Sequence, residues 1–311
     1  MNARRADKIA SAMFWAIGII TVAILAFIIL EVLGRGLITA LNPKFLFGKP
    51  NAMTAGGGIF PMIVSTLYLV ALSLIISLPI AVGAAIYMAE FAKKGRLNNA
   101  IRFSLDALAT LPSIVFGLFG LALFVTYFGW SYSLIAGAFT LAILNLPILL
   151  RSTEEAIKLV PDTYREASMS LGASRWTTIR QVVIPSALPG IITATILPIG
   201  RIVGESAAII YTVGVFVRNV QLNPFDTAAP LAGYIWARQA EHGVPDWRGI
   251  VNGGAALLLI MVFVIYFLAR WAGNRYQQNK LFVAGMNGVV TCITGVEPGS
   301  SPTQDWTFTS D

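Results

Sequence analysis

Two ionisable side chains interrupt a long apolar stretch in the second half of the sequence. Arg201 and Glu205 are the only charged residues between Leu188 and Val215. A charge at the centre of a membrane helix costs at least about 2.5 to 3.5 kcal/mol, so the pair requires a reason. An arginine guanidinium can hold a tetrahedral oxyanion through two parallel hydrogen bonds. The pattern therefore indicates an anion site on a transport path, with Glu205 positioning Arg201 and competing for it.

The same spacing also allows a purely structural interpretation. Residues four apart share one helix face, so Arg201 and Glu205 can neutralise each other and lock neighbouring helices. Pro198, Gly200 and Gly204 would let such a helix bend and pack closely. The residues alone leave both interpretations open.

A second candidate site lies in a polar segment of about 35 residues that follows the fourth apolar run. Thr163 and Glu166 have the spacing of a capping box, which predicts a short helix. Gly172 then offers a left-handed stop, and Ser174 can cap a second helix that runs toward Pro185. Long connections with structure of their own usually have a function. We refer to residues 163–185 as the knob.

The composition places these sites in a membrane protein. Of the 311 residues, 56% are hydrophobic and 12% are charged, with a mean hydropathy of +0.73. The 44 residues from Ala107 to Leu150 contain no Asp, Glu, Lys or Arg. Because one span needs about 20 apolar residues, this stretch holds two spans, and an ordinary soluble domain is excluded.

The sequence predicts an all-α, polytopic membrane fold, since only helices or closed barrels satisfy the backbone in lipid. Six spans follow from the hydropathy: Ile9–Leu33, Pro61–Met88, Leu105–Phe128, Ser133–Leu150, Leu188–Val215 and Ile250–Ala269. The first is interpreted as a retained helix rather than a cleaved signal, because its apolar run is too long for one. The outer segment from Asn219 to Gly249 is long enough to receive a partner.

The positive charges determine the predicted orientation. With the N-terminus in the cytoplasm, 15 of the 22 Lys and Arg residues fall in inside segments and 6 in outside loops, and Arg201 lies in a span. The positive-inside rule then places both termini in the cytoplasm. The net charge of +7 therefore reflects topology, and no nucleic-acid partner is expected.

No catalytic, metal or cofactor site is predicted. The chain has one cysteine, Cys292, and one histidine, His242, so it offers neither a disulfide nor a metal-ligand spacing. It also lacks a Gly-x4-Gly-Lys-[Ser/Thr] loop, and ATP is therefore not expected to bind to this chain.

The knob resembles a known element. Glu166-Ala167-Ser168-x3-Gly172-x9-Val182-x-Ile184-Pro185 resembles the EAA loop of ABC importer permeases, with Ser168, Val182 and Ile184 as mild departures. In that family the loop forms a coupling helix that docks into a cytoplasmic ATPase. The resemblance implies a type I importer permease fold and a coupling role for Glu166, Ala167, Ser168, Gly172 and Pro185.

Other strings resemble the phosphate importers of this family. Gly200 to Ala208 is similar to their Arg-x-x-Gly-Glu element, and Leu111 to Gly120 is similar to their third span. Gly56-Gly57-Gly58-Ile59 before Ser65-Thr66 resembles the entry to their second span and favours the subunit called PstA over PstC. The matches cover Gly56 to Trp271 and imply that Arg201 and Glu205 are needed for transport.

The resemblance also implies an assembly in the bacterial inner membrane. Its expected members are a sister permease (PstC-like), an ATPase dimer (PstB-like) that uses ATP and Mg, and an external phosphate-binding protein (PstS-like). Residues 1–60 would form the first helix and an external loop, and residues 61–280 a five-span core with the coupling loop at about 151–187. The polar tail, residues 281–311, departs from the family, has no assigned role, and is expected to be partly mobile.

Three alternatives remain. A sulfate or molybdate importer would share the EAA loop but should lack the context of Arg201 and Glu205. A channel or secondary carrier would need no ATPase dock, which the knob argues against. A membrane-embedded enzyme is disfavoured because the spans contain no carboxylate pair or metal spacing.

Overall fold

The structure, a computed structural model, describes residues 3–50, 57–92, 95–215, 219–240 and 246–284. Gly56, His242, Cys292 and the tail beyond residue 284 lie outside these ranges, as do Lys93, Lys94 and Arg218, three of the charges counted for the predicted orientation. Within the described ranges the regular structure is entirely helical. This confirms the predicted all-α fold.

Twelve α-helices are described, three of them continued by a π-helical turn. Tyr87–Phe91 extends α3, Leu121–Tyr127 extends α5, and Ile179–Val183 joins α8 to α9. The helices are α1 (Ala3–Ala40), α2 (Pro43–Phe47), α3 (Phe60–Ile86), α4 (Arg96–Thr110), α5 (Ser113–Gly120), α6 (Leu134–Lys158), α7 (Asp162–Ser170), α8 (Arg175–Thr178), α9 (Ile184–Gly204), α10 (Ala207–Thr212), α11 (Leu231–Ala240) and α12 (Trp247–Ala284).

Five helical segments of the described chain are long and apolar enough to cross a membrane, and a bent pair makes a sixth. The continuous segments are Ala10–Ala40, Phe60–Phe91, Leu134–Lys158, Arg175–Gly204 and Trp247–Trp271. They correspond to five of the six predicted spans. Several run beyond the predicted edges: α6 continues to Lys158, and α12 passes the expected start of the tail at residue 281.

The third predicted span is not one straight helix. Residues 105–128 are divided between α4 and the α5 segment, which meet at an angle of 99°. The break falls at Leu111 and Pro112, both in extended conformation. Proline lacks a backbone N–H and disfavours helical geometry in the residue before it, so Pro112 ends α4 and begins α5.

The fifth predicted span, Leu188–Val215, differs at both ends. It begins earlier, because α8 of the knob continues into α9 as one helix from Arg175. The π-helical turn stands just before Pro185, where a proline ring would clash with the preceding carbonyl of a regular helix. It also ends earlier, at Gly204, and the chain resumes as the short α10.

The interior contains two apolar clusters. The larger one joins α3, α6, α9 and α10 and includes Met62, Leu69, Leu141, Ile202 and Ile209. The smaller one lies next to the knob, where the ends of α3 and α6 meet α9. A side chain at Gly36 would clash with the backbone of Asn252, so α1 packs closely on the beginning of α12.

The segment from Asn219 to Gly249, predicted to be an outer loop, is partly interior. Its helix α11 carries the buried side chains Tyr234 and Arg238. Ahead of α11, the carbonyls of Pro224 and Asp226 accept hydrogen bonds from the first backbone N–H groups of α6. Only the exposed part of this segment is available to a partner.

Candidate functional site

Arg201 lies in the last turn of α9, half-buried. The depth of Arg201 in the bundle can be measured from Gly190 of the same helix, because Gly190 packs on Ala156 near the end of α6. Helix α9 rises by about 16 Å from Gly190 to Arg201, whereas the whole of α6 is about 37 Å long. Arg201 is therefore near the middle of the helical bundle, although it is at the end of its own helix.

Arg201 and Glu205 do not form the predicted pair. Glu205 is the first residue past α9 and has an extended backbone, with φ −72° and ψ 126°. The i,i+4 relation holds only on a continuous helix, so the expectation of one shared helix face is wrong. Within the described chain, the Arg201 side chain forms no hydrogen bond or ion pair.

Glu205 has a different partner in this conformation. Its Oε1 accepts a hydrogen bond from the backbone N–H of Ala208 at 3.3 Å, in the first turn of α10. The carboxylate thereby satisfies one of the unpaired N–H groups with which a helix begins. Glu205 therefore stabilises the break between α9 and α10, and its carboxylate is not a partner of Arg201.

The break between α4 and α5 gives a second discontinuous helix, and its α5 part lies beside α10. At Gly117 of α5, an added Cβ would lie 2.9 Å from Cα of Ala208, and at Gly120 it would lie 2.8 Å from the Thr212 side chain. These contacts run in the same chain direction, so α5 and α10 are parallel. Each of the two helices starts at a break, and discontinuous helices of this kind often line ligand sites inside membranes.

The knob has the predicted corner but not the predicted capping box. Gly172 has φ +82°, and Ser174 Oγ accepts from the Thr177 N–H at 3.2 Å, as expected. However, α7 begins at Asp162 after Pro161, without a side-chain cap. Thr163 is thus already inside the helix and cannot cap it, and the capping box is wrong. Glu166 is exposed on the knob surface.

The other EAA-like residues occupy different positions. Ala167 is exposed, and Ser168 Oγ lies 2.9 Å from Thr178 Oγ1, which ties α7 to α8. Pro185 is not in the knob corner but near the start of α9. Large apolar side chains are exposed around the corner: Tyr164, Met169, Leu171 and Trp176. An exposed apolar cluster of this kind is typical of a protein contact site.

Sequence reasoning missed the ion pairs that hold the knob end together. Arg165 of α7 pairs with the buried Glu90, 75 positions earlier, at 2.8 Å. Glu154 of α6 is also buried and pairs with Arg102 at 2.5 Å and Lys158 at 2.7 Å. Of these three pairs, only Glu154 with Lys158 has a local sequence signal, the i,i+4 spacing. In the described chain no group of three His, Cys, Asp or Glu residues could hold a metal ion.

Comparison with known proteins gives a consistent result. The family model described as "Binding-protein-dependent transport system inner membrane component" matches residues 81–278. A probable ABC transporter permease of Bacillus subtilis, YqgI, is 40% identical over 88% of this chain and 97% of its own length. The phosphate transport system permease protein PstA of Pasteurella multocida is 33% identical over 79% of this chain and 86% of its own.

Solved structures share the fold. A bacterial alginate ABC transporter, in complex with a periplasmic protein carrying an alginate pentasaccharide, superposes with a TM-score of 0.60 at 15% identity. The match covers 88% of this chain and 96% of that one. A chain of the MetNI methionine ABC transporter superposes with a TM-score of 0.55 at 21% identity, over 70% of this chain and 94% of that one. Both likenesses support the type I importer permease fold.

Proposed function

The chain belongs to the family of binding-protein-dependent transport system inner membrane components, and on this premise we propose that it is the permease subunit of an ATP-driven phosphate importer. It would form half of the translocation path and couple that path to a separate cytoplasmic ATPase. Members of this family are membrane-spanning transport subunits, which agrees with the helices described above. The identity of the transported ion, phosphate, goes beyond what membership of the family gives.

The observation that carries the phosphate assignment is the unpaired Arg201 in the middle of the bundle. A guanidinium is always charged, so it must be neutralised or hydrated at that depth. A tetrahedral oxyanion supplies both the negative charge and two acceptor oxygens, which match the paired N–H donors of the guanidinium. The relatives named as phosphate permeases, at 31 to 35% identity, support the same substrate.

Glu205 has a revised role in this proposal. With its carboxylate bound to the Ala208 N–H, it leaves Arg201 available to an anion. Movement of Glu205 toward Arg201 in another conformation would displace the anion. Such competition makes binding transient, which a transport path requires.

The proposed partners follow from the family. They are a sister permease (PstC-like), an ATPase dimer (PstB-like) that docks on the knob and uses ATP and Mg, and an external phosphate-binding protein (PstS-like). The knob would then face the cytoplasm together with both termini, in agreement with the distribution of Lys and Arg. The exposed apolar side chains around Gly172 support its use as a dock.

Radiolabelled phosphate uptake in cells with the gene deleted and then restored tests the proposal. Uptake should fall on deletion and return with the wild-type gene, but not with Arg201→Gln. Excess unlabelled phosphate should compete, whereas sulfate and molybdate should not. Competition by sulfate or molybdate alone would assign another oxyanion, and uptake without a co-purifying ATPase would indicate a channel or secondary carrier.

A further inference from the structure

Arg165 of the knob uses every hydrogen-bond donor of its guanidinium. Its Nε and Nη2 donate to Oε1 of Glu90 at 3.1 and 2.8 Å. Nη2 also donates to the carbonyl of Ile157 at 3.1 Å. Nη1 donates to the carbonyl of Val160 at 2.6 Å and to Oδ1 of Asp162 at 3.0 Å. These five bonds fill the donor capacity of an arginine, so its position is strongly determined.

Glu90 is the acceptor at the centre of this arrangement. It lies in the π-helical turn that ends α3, and its side chain is 7% exposed, against 16% for Arg165. Its main-chain carbonyl accepts a further bond from Arg175, whose guanidinium also lies 5.3 Å from the Phe91 ring. Arginines from both knob helices, α7 and α8, therefore hold the same residue of α3.

The bonds of Arg165 connect three separate parts of the chain. Ile157 lies in the last turn of α6 and Val160 just beyond it, where a positive charge also complements the helix dipole. The chain joins α6 directly to the knob, but Glu90 is 75 positions from Arg165, so its link to the knob is non-covalent. Helix α3 in turn shares the larger apolar cluster with Ile202 and Val203, next to Arg201.

We propose that Glu90 and Arg165 form the joint through which movement of the knob reaches α3, whereas α9, which carries Arg201, continues directly from α8 of the knob. Both are positioning residues for coupling, and neither touches the transported ion. The inference rests on the proposed function, because it takes the knob as the ATPase dock. A rigid, fully bonded side chain transmits displacement, whereas a single flexible contact would absorb it.

The test uses the complete importer reconstituted in lipid vesicles, with phosphate uptake and ATP hydrolysis measured together. Arg165→Lys keeps the charge but replaces the planar fork with a point donor that cannot bind Glu90, Ile157 and Val160 at once. Glu90→Gln keeps the shape and removes the charge. Both variants should still hydrolyse ATP, with the phosphate transported per ATP reduced roughly 2- to 30-fold, the usual range for a coupling residue.

Asp162→Asn is the matched control, since it removes another partner of the same arginine. The Asp162 side chain is 87% exposed, and an exposed ion pair contributes little. This variant should transport the wild-type amount of phosphate per ATP.

Two outcomes would overturn the joint. One is a wild-type ratio of phosphate to ATP in both variants, even with less complex assembled. The other is failure of both variants to assemble while Asp162→Asn is unaffected, which would make the pair a structural anchor only. Failure of the proposed function is recognised separately, because the wild-type complex would then bind no ATPase or transport no phosphate.

Discussion

Arg201 is half-buried near the middle depth of the bundle, with a positive charge that no described side chain neutralises. The nearest acid in sequence, Glu205, is held by the first turn of α10 instead. This arrangement separates the substrate-path hypothesis from the ion-pair hypothesis, which require different behaviour of the same two residues.

Arg201→Gln should abolish phosphate uptake while the complex still assembles, because the neutral amide removes the charge that binds the anion. Arg201→Lys should restore little, since an ammonium lacks the planar fork. Uptake is measured per amount of assembled complex. Normal uptake by Arg201→Gln would contradict the role of Arg201.

The double change Arg201→Gln with Glu205→Gln should remain inactive. A purely structural ion pair predicts the reverse, because a neutral pair of similar shape would regain stability and transport. Glu205→Gln alone should leave stability nearly unchanged, since its amide oxygen can still accept from the Ala208 N–H, but it should lower uptake, because the neutral amide no longer competes with the anion for Arg201. Glu205→Ala should lose about 1 kcal/mol of stability, the usual effect of removing a helix cap.

Glu166 offers a separate test of the knob surface. Because it is exposed and caps nothing, Glu166→Ala should change stability by no more than about 0.5 kcal/mol. It should nevertheless weaken co-purification of the ATPase. Glu155→Ala, an exposed glutamate of α6 outside the knob, is the control and should bind the ATPase normally. Equal binding by the two variants would remove Glu166 from the dock.

At the scale of elements, the shape of the knob depends on one corner. Gly172 connects α7 to α8 with φ +82°, a conformation that a β-branched residue adopts only with strain. An equivalent glycine exists at the opposite end of the bundle. Gly129 has φ +68°, and at neither glycine would an added Cβ come within 4 Å of an atom beyond the adjacent residues of the chain. A β-branched substitution at Gly172 or at Gly129 would therefore cause backbone strain without a steric clash, so the effects of strain at the two positions can be compared.

Gly172→Val should uncouple ATP hydrolysis from uptake while membrane insertion is retained. Gly129→Val imposes the same kind of strain away from the knob, so it should lower thermal stability by a similar amount and leave phosphate transported per ATP unchanged. Normal coupling in Gly172→Val, or equal uncoupling in both variants, would show that the corner has no specific role.

At the scale of the whole molecule, the directions of α1 and α12 bear on the predicted orientation of the chain ends. The end of α1 packs on the beginning of α12, so these two helices run in opposite directions. Gly273 of α12 packs on Ile192 of α9, toward the knob. These helix directions are the ones expected if the knob and both termini lie on the same side of the membrane, a prediction that labelling must test.

Single cysteines introduced in a Cys292→Ser background give this orientation. Leu171 in the knob and Leu222 at the opposite end are 89% and 77% exposed, so cysteines there should have comparable access to solvent. An impermeant thiol reagent added outside intact cells should label Leu222→Cys and spare Leu171→Cys, with both labelled after permeabilisation. The reverse pattern would overturn the orientation and the coupling assignment with it.

Local properties of the chain were sufficient to predict much of this protein. Long uncharged runs are typical of membrane spans, and they predicted the positions of the spans, apart from the bend within the third and the early end of the fifth. The Gly172 corner and the Ser174 cap depend on one or two residues each, and both are present. The importer family was recognisable because the EAA-like string occupies a short, continuous segment.

Only the tertiary structure decided how distant or competing groups are combined. The apolar run resumes at Ala207 and continues to Val215, so hydropathy alone predicted one helix where the structure has α9 ending at Gly204 and α10 packed against α5. The 99° bend at Pro112 has a local cause, but its angle depends on the neighbouring helices. No pattern in the sequence connects Glu90 with Arg165, because the two residues are brought together only by the fold. Once they are buried, the cost of removing each charge from water is offset by their pairing.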